Sequence, residues 1–233
     1  MALFPTHFRL VNKLLARRYK TLLVTLVALI ALPSFFIDPG VQIIVTYILQ
    51  AAVMIAGINA VQESNFQLRL GILIGAGVII LNWTGIFNSN ATITFYLSFM
   101  FFMLFYVFVA GRLLRMMFKT PNVSMGVLYA ALNVYLLLGI IGGFAFMLTE
   151  NLHPGSLNNL PIENITDPSK FIYFSFITLS TLGYGDITPA TGPTETISVM
   201  LSTAGPLYLT VLVAMLVGRY LSHQHPHPPK SEK

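Results

Sequence analysis

Cysteine is absent from the 233 residues. No disulfide framework, zinc–thiolate site or thiol nucleophile is available to this chain. Charge is nearly as scarce: Asp, Glu, Lys and Arg make 9% of the residues, where an average soluble domain carries about 25%. Hydrophobic residues make 55%. A soluble fold of this size has too little interior for that much apolar surface, whereas a protein that crosses a lipid bilayer several times has no need to bury it. Catalytic groupings are missing too. There is no Ser/His/Asp set, no His-Glu-x-x-His and no pair of carboxylates inside an apolar stretch. The chain is not expected to be an enzyme. His223, His225 and His227 alternate in a Pro-rich tail, a spacing open to a divalent metal and equally that of a solvated tail.

What is present is long apolar runs. A spanning helix needs ~20 mostly apolar residues. Six stretches qualify: 21–37, 41–61, 68–87, 91–114, 123–149 and 195–220. Asp38-Pro39-Gly40, Gln62-Glu63-Ser64-Asn65 and Asn88-Ser89-Asn90 separate the first four, and Arg112, Arg115, Lys119 and Pro121 punctuate the fourth and fifth. Before the first run, Phe4, Phe8, Val11, Leu14 and Leu15 recur at helical spacing among Arg9, Lys13, Arg17, Arg18 and Lys20. Residues 1–20 therefore read as an amphipathic segment at the membrane surface rather than a signal peptide, because no small-residue cleavage pattern follows.

The charges orient the runs. Basic residues concentrate on the cytoplasmic side of membrane proteins. With the N-terminus inside, six spans leave only Lys170 of the 13 Lys and Arg outside, and bring six of the eight acids outside: Asp38, Glu150, Glu163, Asp167, Asp186 and Glu195. Both termini are then cytoplasmic. The pI near 9.5 is explained by this asymmetry, and no nucleic-acid partner is expected.

Between the fifth and sixth runs lies a polar stretch, 150–168, with His153-Pro154-Gly155 and Pro161, then Asp167-Pro168-Ser169, which has the residues of a helix start. Residues 171–180 are apolar and aromatic but too few to cross. They read as a re-entrant helix. Non-helical backbone at membrane depth persists only when buried in protein or lining a water-filled cavity, so the residues that follow should line a pore.

Those residues are Thr181-Leu182-Gly183-Tyr184-Gly185-Asp186. The hexapeptide resembles the T-x-G-Y-G-D signature of the tetrameric potassium-channel superfamily, with Leu182 where Val is commonest. Tyr135 to Gly139 in the fifth run look like the outer pore helix of bacterial members, and Gly205 to Ala214 in the sixth look like their inner helix. The resemblance covers about residues 125–221; residues 1–120 match only in having four spans before the pore. It implies an all-α membrane protein with six transmembrane helices, a re-entrant pore helix and a filter loop, assembled as a homotetramer. Its parts would be the segment 1–20, a four-helix bundle over 21–120, a pore domain over 121–221 and a short tail over 222–233.

The chemistry suits that reading. A dehydrating K⁺ needs oxygens that replace its water, and a ring of backbone carbonyls from four chains supplies them. Aiming successive carbonyls at one axis requires alternating handedness along the backbone, which glycine adopts without penalty. Gly183 and Gly185 sit at alternate positions. Carbonyls of Thr181, Leu182, Gly183 and Tyr184, with the Thr181 hydroxyl, would bind K⁺, the sole bound species expected, and Gly185 would close the filter. Tyr184 would brace the ring. In the superfamily an aromatic donor at the position of Tyr173 often holds the acid at the position of Asp186. Where some relatives have a buried acid behind the filter, this chain has Ile177, which leaves slow inactivation open.

For gating, Gly205 lies where many potassium channels carry a hinge glycine, and Pro206 removes a backbone donor and should kink the helix. Thr210, Val213 and Val217 share one stripe below it and are candidates to line the cavity. Moving one charge through 100 mV is worth ~2.3 kcal/mol, and steep voltage gating needs several such charges. The fourth run has none between Thr92 and Ala110; Arg112, Arg115 and Lys119 stand at its cytoplasmic end. Voltage dependence should be weak or absent. The eleven residues after Ser222 predict no cytosolic sensing domain and no small-molecule ligand beyond permeant cations. A bacterial inner (plasma) membrane is the expected site. A silent regulatory subunit and a transporter with a filter-like loop are the competing classes, the latter usually with several pore repeats per chain.

Overall fold

The computed structural model describes residues 4–62, 69, 71–77, 91–120, 124–160 and 168–224. Helices dominate. Among the described residues they are α1 (Phe4–Ala31), α2 (Pro39–Val61), α3 (71–77), α4 (Ala91–Lys119), α5 (Met125–Leu152), α6 (Pro168–Leu179) and α7 (Gly192–Gln224). A short 3₁₀ turn covers Pro33–Phe35. The strands are β1 (Leu157–Asn158) and β2 (Thr188–Pro189), which pair antiparallel with Leu157 opposite Pro189 and Asn158 opposite Thr188.

Four helical stretches among the described residues are long and apolar enough to cross a membrane: Gly40–Val61, Tyr96–Lys119, Met125–Leu152 and Gly192–Arg219. They correspond to the second, fourth, fifth and sixth expected spans. Much of the expected third span, 68–87, lies outside the described residues, as do Pro121, Pro161, Asp167 and the tail from 225. The first expected span, 21–37, is not among the four. α1 runs unbroken through the expected boundary at residue 20 and stops at Ala31 instead of Ile37. Leu32 still has helical backbone, its N–H donating to the Ala28 carbonyl at 2.9 Å, but Pro33 has no N–H to continue the ladder and the chain tightens into the 3₁₀ turn. The hydrophobic run through Ile37 hid that stop, and Ile37 is almost fully exposed.

Helix starts follow from local chemistry. Asp38 Oδ1 accepts from the N–H groups of Gly40 (2.8 Å) and Val41 (3.1 Å), with Pro39 at the first helical position; two orphan donors of α2 are thereby satisfied. Ser124 Oγ accepts from Val127 N–H at 3.4 Å and starts α5.

α5 is the hub. α1, α4, α6 and α7 of the same chain all pack on it. Asn133, fully buried, donates from Nδ2 to the Tyr19 carbonyl of α1 at 2.8 Å. The Tyr208 hydroxyl of α7 donates to the Ala131 carbonyl at 2.7 Å. Phe144 takes Phe99 edge-on and stacks with Phe102 and Tyr106 of α4, centroids 5.3–5.9 Å apart. Aromatic contacts of this kind replace the hydrophobic drive that is missing between helices in lipid. In α3, Gly71 and Gly75 face Ile58 of α2, and Gly77 faces Phe101 of α4.

Candidate ion-conduction site

α6 has 12 residues, roughly 18 Å of helix, against a hydrocarbon layer of about 30 Å. It cannot cross. Glycines of α5 let it lie close: a Cβ on Gly139 would strike the Phe176 ring, one on Gly142 would strike Ser175 Oγ, and one on Gly143 would come 2.8 Å from the Ile172 backbone. Ser175, buried, donates to the Gly139 carbonyl at 2.7 Å. Small residues at such contacts are how helices approach closely in a membrane.

The end of α6 sets the next segment. Leu182 N–H donates to the Ile177 carbonyl at 2.9 Å, Thr181 N–H to the Thr178 carbonyl at 3.0 Å, and Gly183 N–H also to Ile177 at 3.1 Å. The first two are the crossed pair of a Schellman ending, whose left-handed position is usually glycine. Here it is Thr181, at φ 60°. Gly183 follows at φ 53° and Gly185 at φ 79°, so every second residue from 181 to 185 is left-handed. The sequence pointed to the two glycines; the third position, a β-branched residue, was not foreseen. Left-handed backbone costs such a residue about 1–2 kcal/mol. Leu182 and Tyr184, between them, are 55% and 67% exposed on the single chain.

Two ties hold the outer end of this segment. The Tyr173 hydroxyl of α6 donates to Asp186 Oδ2 at 2.6 Å. That bond holds the Asp186 carboxyl below the ordinary range, with Lys170 adding to the effect, and pushes the Tyr173 phenol up to about 12. The second tie involves residues the sequence reading treated only as outer acid and turn. Glu150, at the end of α5 and 3% exposed, accepts from Gly155 N–H (2.7 Å) with one oxygen and Leu157 N–H (2.9 Å) with the other. The loop it holds carries β1, which pairs with β2 just beyond Asp186. The Ser156 carbonyl in that loop accepts from Ala190 N–H and from the buried Thr194 hydroxyl of α7, both at 2.8 Å.

α7 runs on through Gly205 and Pro206 as one helix. Gly205 is buried directly against the Leu179 carbonyl of α6, where a Cβ would clash with the oxygen. Thr210, Val213 and Val217 lie on an exposed stripe of α7, and the Thr210 hydroxyl donates to the Pro206 carbonyl at 2.8 Å.

Residues 127–222 match the ion-channel family. That stretch contains most of α5, all of α6, the 181–186 segment and nearly all of α7. A two-pore potassium channel 4 from Arabidopsis thaliana is 39% identical over 62 residues, 25% of this chain and 22% of the plant protein. The chain thus spans about a fifth of that relative's length. No solved structure matches. The apolar helices and the family match together describe a multi-pass membrane protein, part of which is similar to ion channels.

Proposed function

We propose that the chain is one quarter of a homotetrameric, potassium-selective channel that passes K⁺ down its gradient, with weak or no voltage dependence. The observation that carries the reading is the alternation at Thr181, Gly183 and Gly185 immediately after a helix too short to cross. Alternating handedness is the backbone condition for turning successive carbonyls of Thr181, Leu182, Gly183 and Tyr184 toward one line, and a carbonyl cage is how a filter replaces the water of K⁺. One chain presents one wall of such a cage. Four-fold assembly would close it and cover Leu182 and Tyr184. The identity with a protein named a potassium channel agrees with the choice of ion.

The remaining roles follow. Tyr173 and Asp186 support the outer mouth, where the acid would raise local cation concentration. Thr210, Val213 and Val217 line the inner cavity. The basic end of the helices faces the cytoplasm, with both termini, and the membrane is a plasma membrane of the bacterial inner type. Weak voltage dependence rests on the uncharged interior of α4 (Thr92 to Ala110).

The test is a bi-ionic reversal potential across a planar bilayer, K⁺ against Na⁺, with barium added afterwards and voltage steps applied. Reversal near the K⁺ equilibrium potential, with barium block and little change of opening with voltage, is expected. Reversal near zero would remove the carbonyl cage from consideration. Absence of any current would favour a silent subunit.

A further inference from the structure

We propose that Arg219 is a latch: it ties the basic end of the inner helix α7 to the last turn of α4 and holds the inner mouth open. The idea rests on the channel reading above. Its structural basis is the C-terminal turn of α4, whose last carbonyls have no partner within the helix. The Met116 carbonyl is taken by Thr120, through its N–H at 3.0 Å and its hydroxyl at 2.9 Å. The next two are taken by Arg219, whose Nη1 reaches the Met117 carbonyl at 3.0 Å and whose Nη2 reaches the Phe118 carbonyl at 3.5 Å. A guanidinium suits this position. It stays charged, spreads its donors in a fork that serves two acceptors, and meets the negative end of the α4 dipole.

The location gives the contact leverage. The outer half of α7 is fixed at Thr194 by Ser156, at Gly205 by Leu179 and at Tyr208 by Ala131. Arg219 lies roughly 16 Å further along the helix. Between them Val211, Val213, Ala214 and Val217 are exposed, while Leu212, Met215 and Leu216 pack against the core. A helix fixed firmly at one half has more freedom at its other end when a polar tie there is lost, and Pro206, which removes a ladder bond, lowers the resistance to bending.

The direction follows from which side of α5 each helix occupies. α6 lies on the face of Gly139 and Gly143, whereas α4 lies on the face of Phe144. A bond from α7 to α4 therefore draws the end of α7 away from the filter side of the chain. Losing the bond lets that end fall back toward the pore axis and narrows the mouth.

Single-channel recording of the full-length protein in a K⁺ bilayer tests this with Arg219→Ala and Arg219→Lys. The Ala variant should open about tenfold less, about 1.4 kcal/mol in the opening equilibrium. Its unitary conductance and K⁺/Na⁺ reversal should not move, because the filter is at the other end. Lys, a single point charge without the fork, should fall between. An unchanged or raised open probability in the Ala variant overturns the latch. The cysteine-free chain allows a second reading: spin labels at Phe118→Cys and Val217→Cys, both exposed, in tetramers diluted with unlabelled chains. The distance should lengthen and broaden with Arg219→Ala, and an unchanged distance overturns the latch even if the Ala variant passes no current. If the parent protein carries no K⁺ current, the channel reading fails by itself while the label distances still judge the contact.

Discussion

The Tyr173 hydroxyl and the Asp186 carboxylate meet at 2.6 Å, joining the short helix to the residue just past the last left-handed glycine. Each stabilises one protonation state of the other. Asp186 has its folded pKa lowered, so its contribution is present above the ordinary carboxylate range and is lost as pH falls through the lowered value. Tyr173 has its pKa raised to about 12, so its contribution is complete below the ordinary phenol value and is lost as pH rises through about 12. The tie is therefore intact across the neutral range. External pH between about 5 and about 9 should leave current decay unchanged. Tyr173→Phe should speed current decay several-fold at neutral pH and bring Asp186 back toward its ordinary range. Macroscopic currents at stepped external pH check both; a Phe variant with the parent's decay rate would show that the bond does not support the mouth.

Thr181 holds a backbone conformation that suits glycine. Thr181→Gly should relieve about 1–2 kcal/mol of strain, offset by roughly 0.4–1 kcal/mol from the looser unfolded chain. The variant should be as stable as the parent or slightly more so. On the channel reading it should also lose K⁺/Na⁺ discrimination, because the hydroxyl proposed to bind the ion is gone. Thr181→Ser keeps the hydroxyl and should keep selectivity. Unfolding midpoints in detergent, with reversal potentials, separate the two effects. A selective Gly variant would mean that the hydroxyl is dispensable.

The parts of this molecule that could be read without coordinates are those written in short stretches of chain. The six residues from Thr181 to Asp186, the aromatic run before them and the apolar lengths of α2, α4, α5 and α7 each carry their signal locally. Pro33 was also local, yet the hydrophobic run to Ile37 outweighed it and the first span was drawn too long. What could not be read depends on which helices meet. Gly205 looked like a hinge because many potassium channels carry a hinge glycine there, with Pro206 beside it; only the Leu179 carbonyl against it adds a packing reason. Glu150 looked like one more outer acid, since nothing in the sequence says that a loop five residues on turns its N–H groups back upon it. Arg219 looked like an inside anchor, and its partners at Met117 and Phe118 are about a hundred residues away.

Glu150 supplies both acceptors for the turn that carries β1. Hydrogen bonds to a charged group are worth about 1.5–3 kcal/mol each, and an amide left buried without a partner costs about 1–3 kcal/mol. Glu150→Ala should destabilise the pore by about 3 kcal/mol or more. Glu150→Gln, which sets an NH₂ against a backbone donor, should lose roughly half as much. If 181–186 is the filter proposed above, the damage should reach it through β2, so K⁺ currents should decay faster even at temperatures where the protein is still folded. Thermal unfolding and decay rates measured on the same preparations decide it: unchanged stability in the Ala variant would mean that water replaces the carboxylate.

Gly205 is where a hinge and a packing contact make different predictions from one substitution. A residue needed only for bending tolerates alanine structurally, since alanine is the better helix former by about 1 kcal/mol; its variant should assemble well and open less. A residue needed for contact does not tolerate it, because the new methyl would meet the Leu179 carbonyl, a backbone atom at the end of α6 that cannot move without moving Thr181. Overpacking of this kind costs about 1–3 kcal/mol. We expect Gly205→Ala to lower the unfolding midpoint and to weaken K⁺ selectivity, since the displaced carbonyl lies two residues before the proposed filter. Gly218→Ala serves as the control, because a Cβ there meets nothing within 4 Å; that variant should match the parent or exceed it slightly in stability. A Gly205→Ala protein with normal stability, normal reversal potential and a reduced open probability would restore the hinge and remove the contact from the account of how the filter is held.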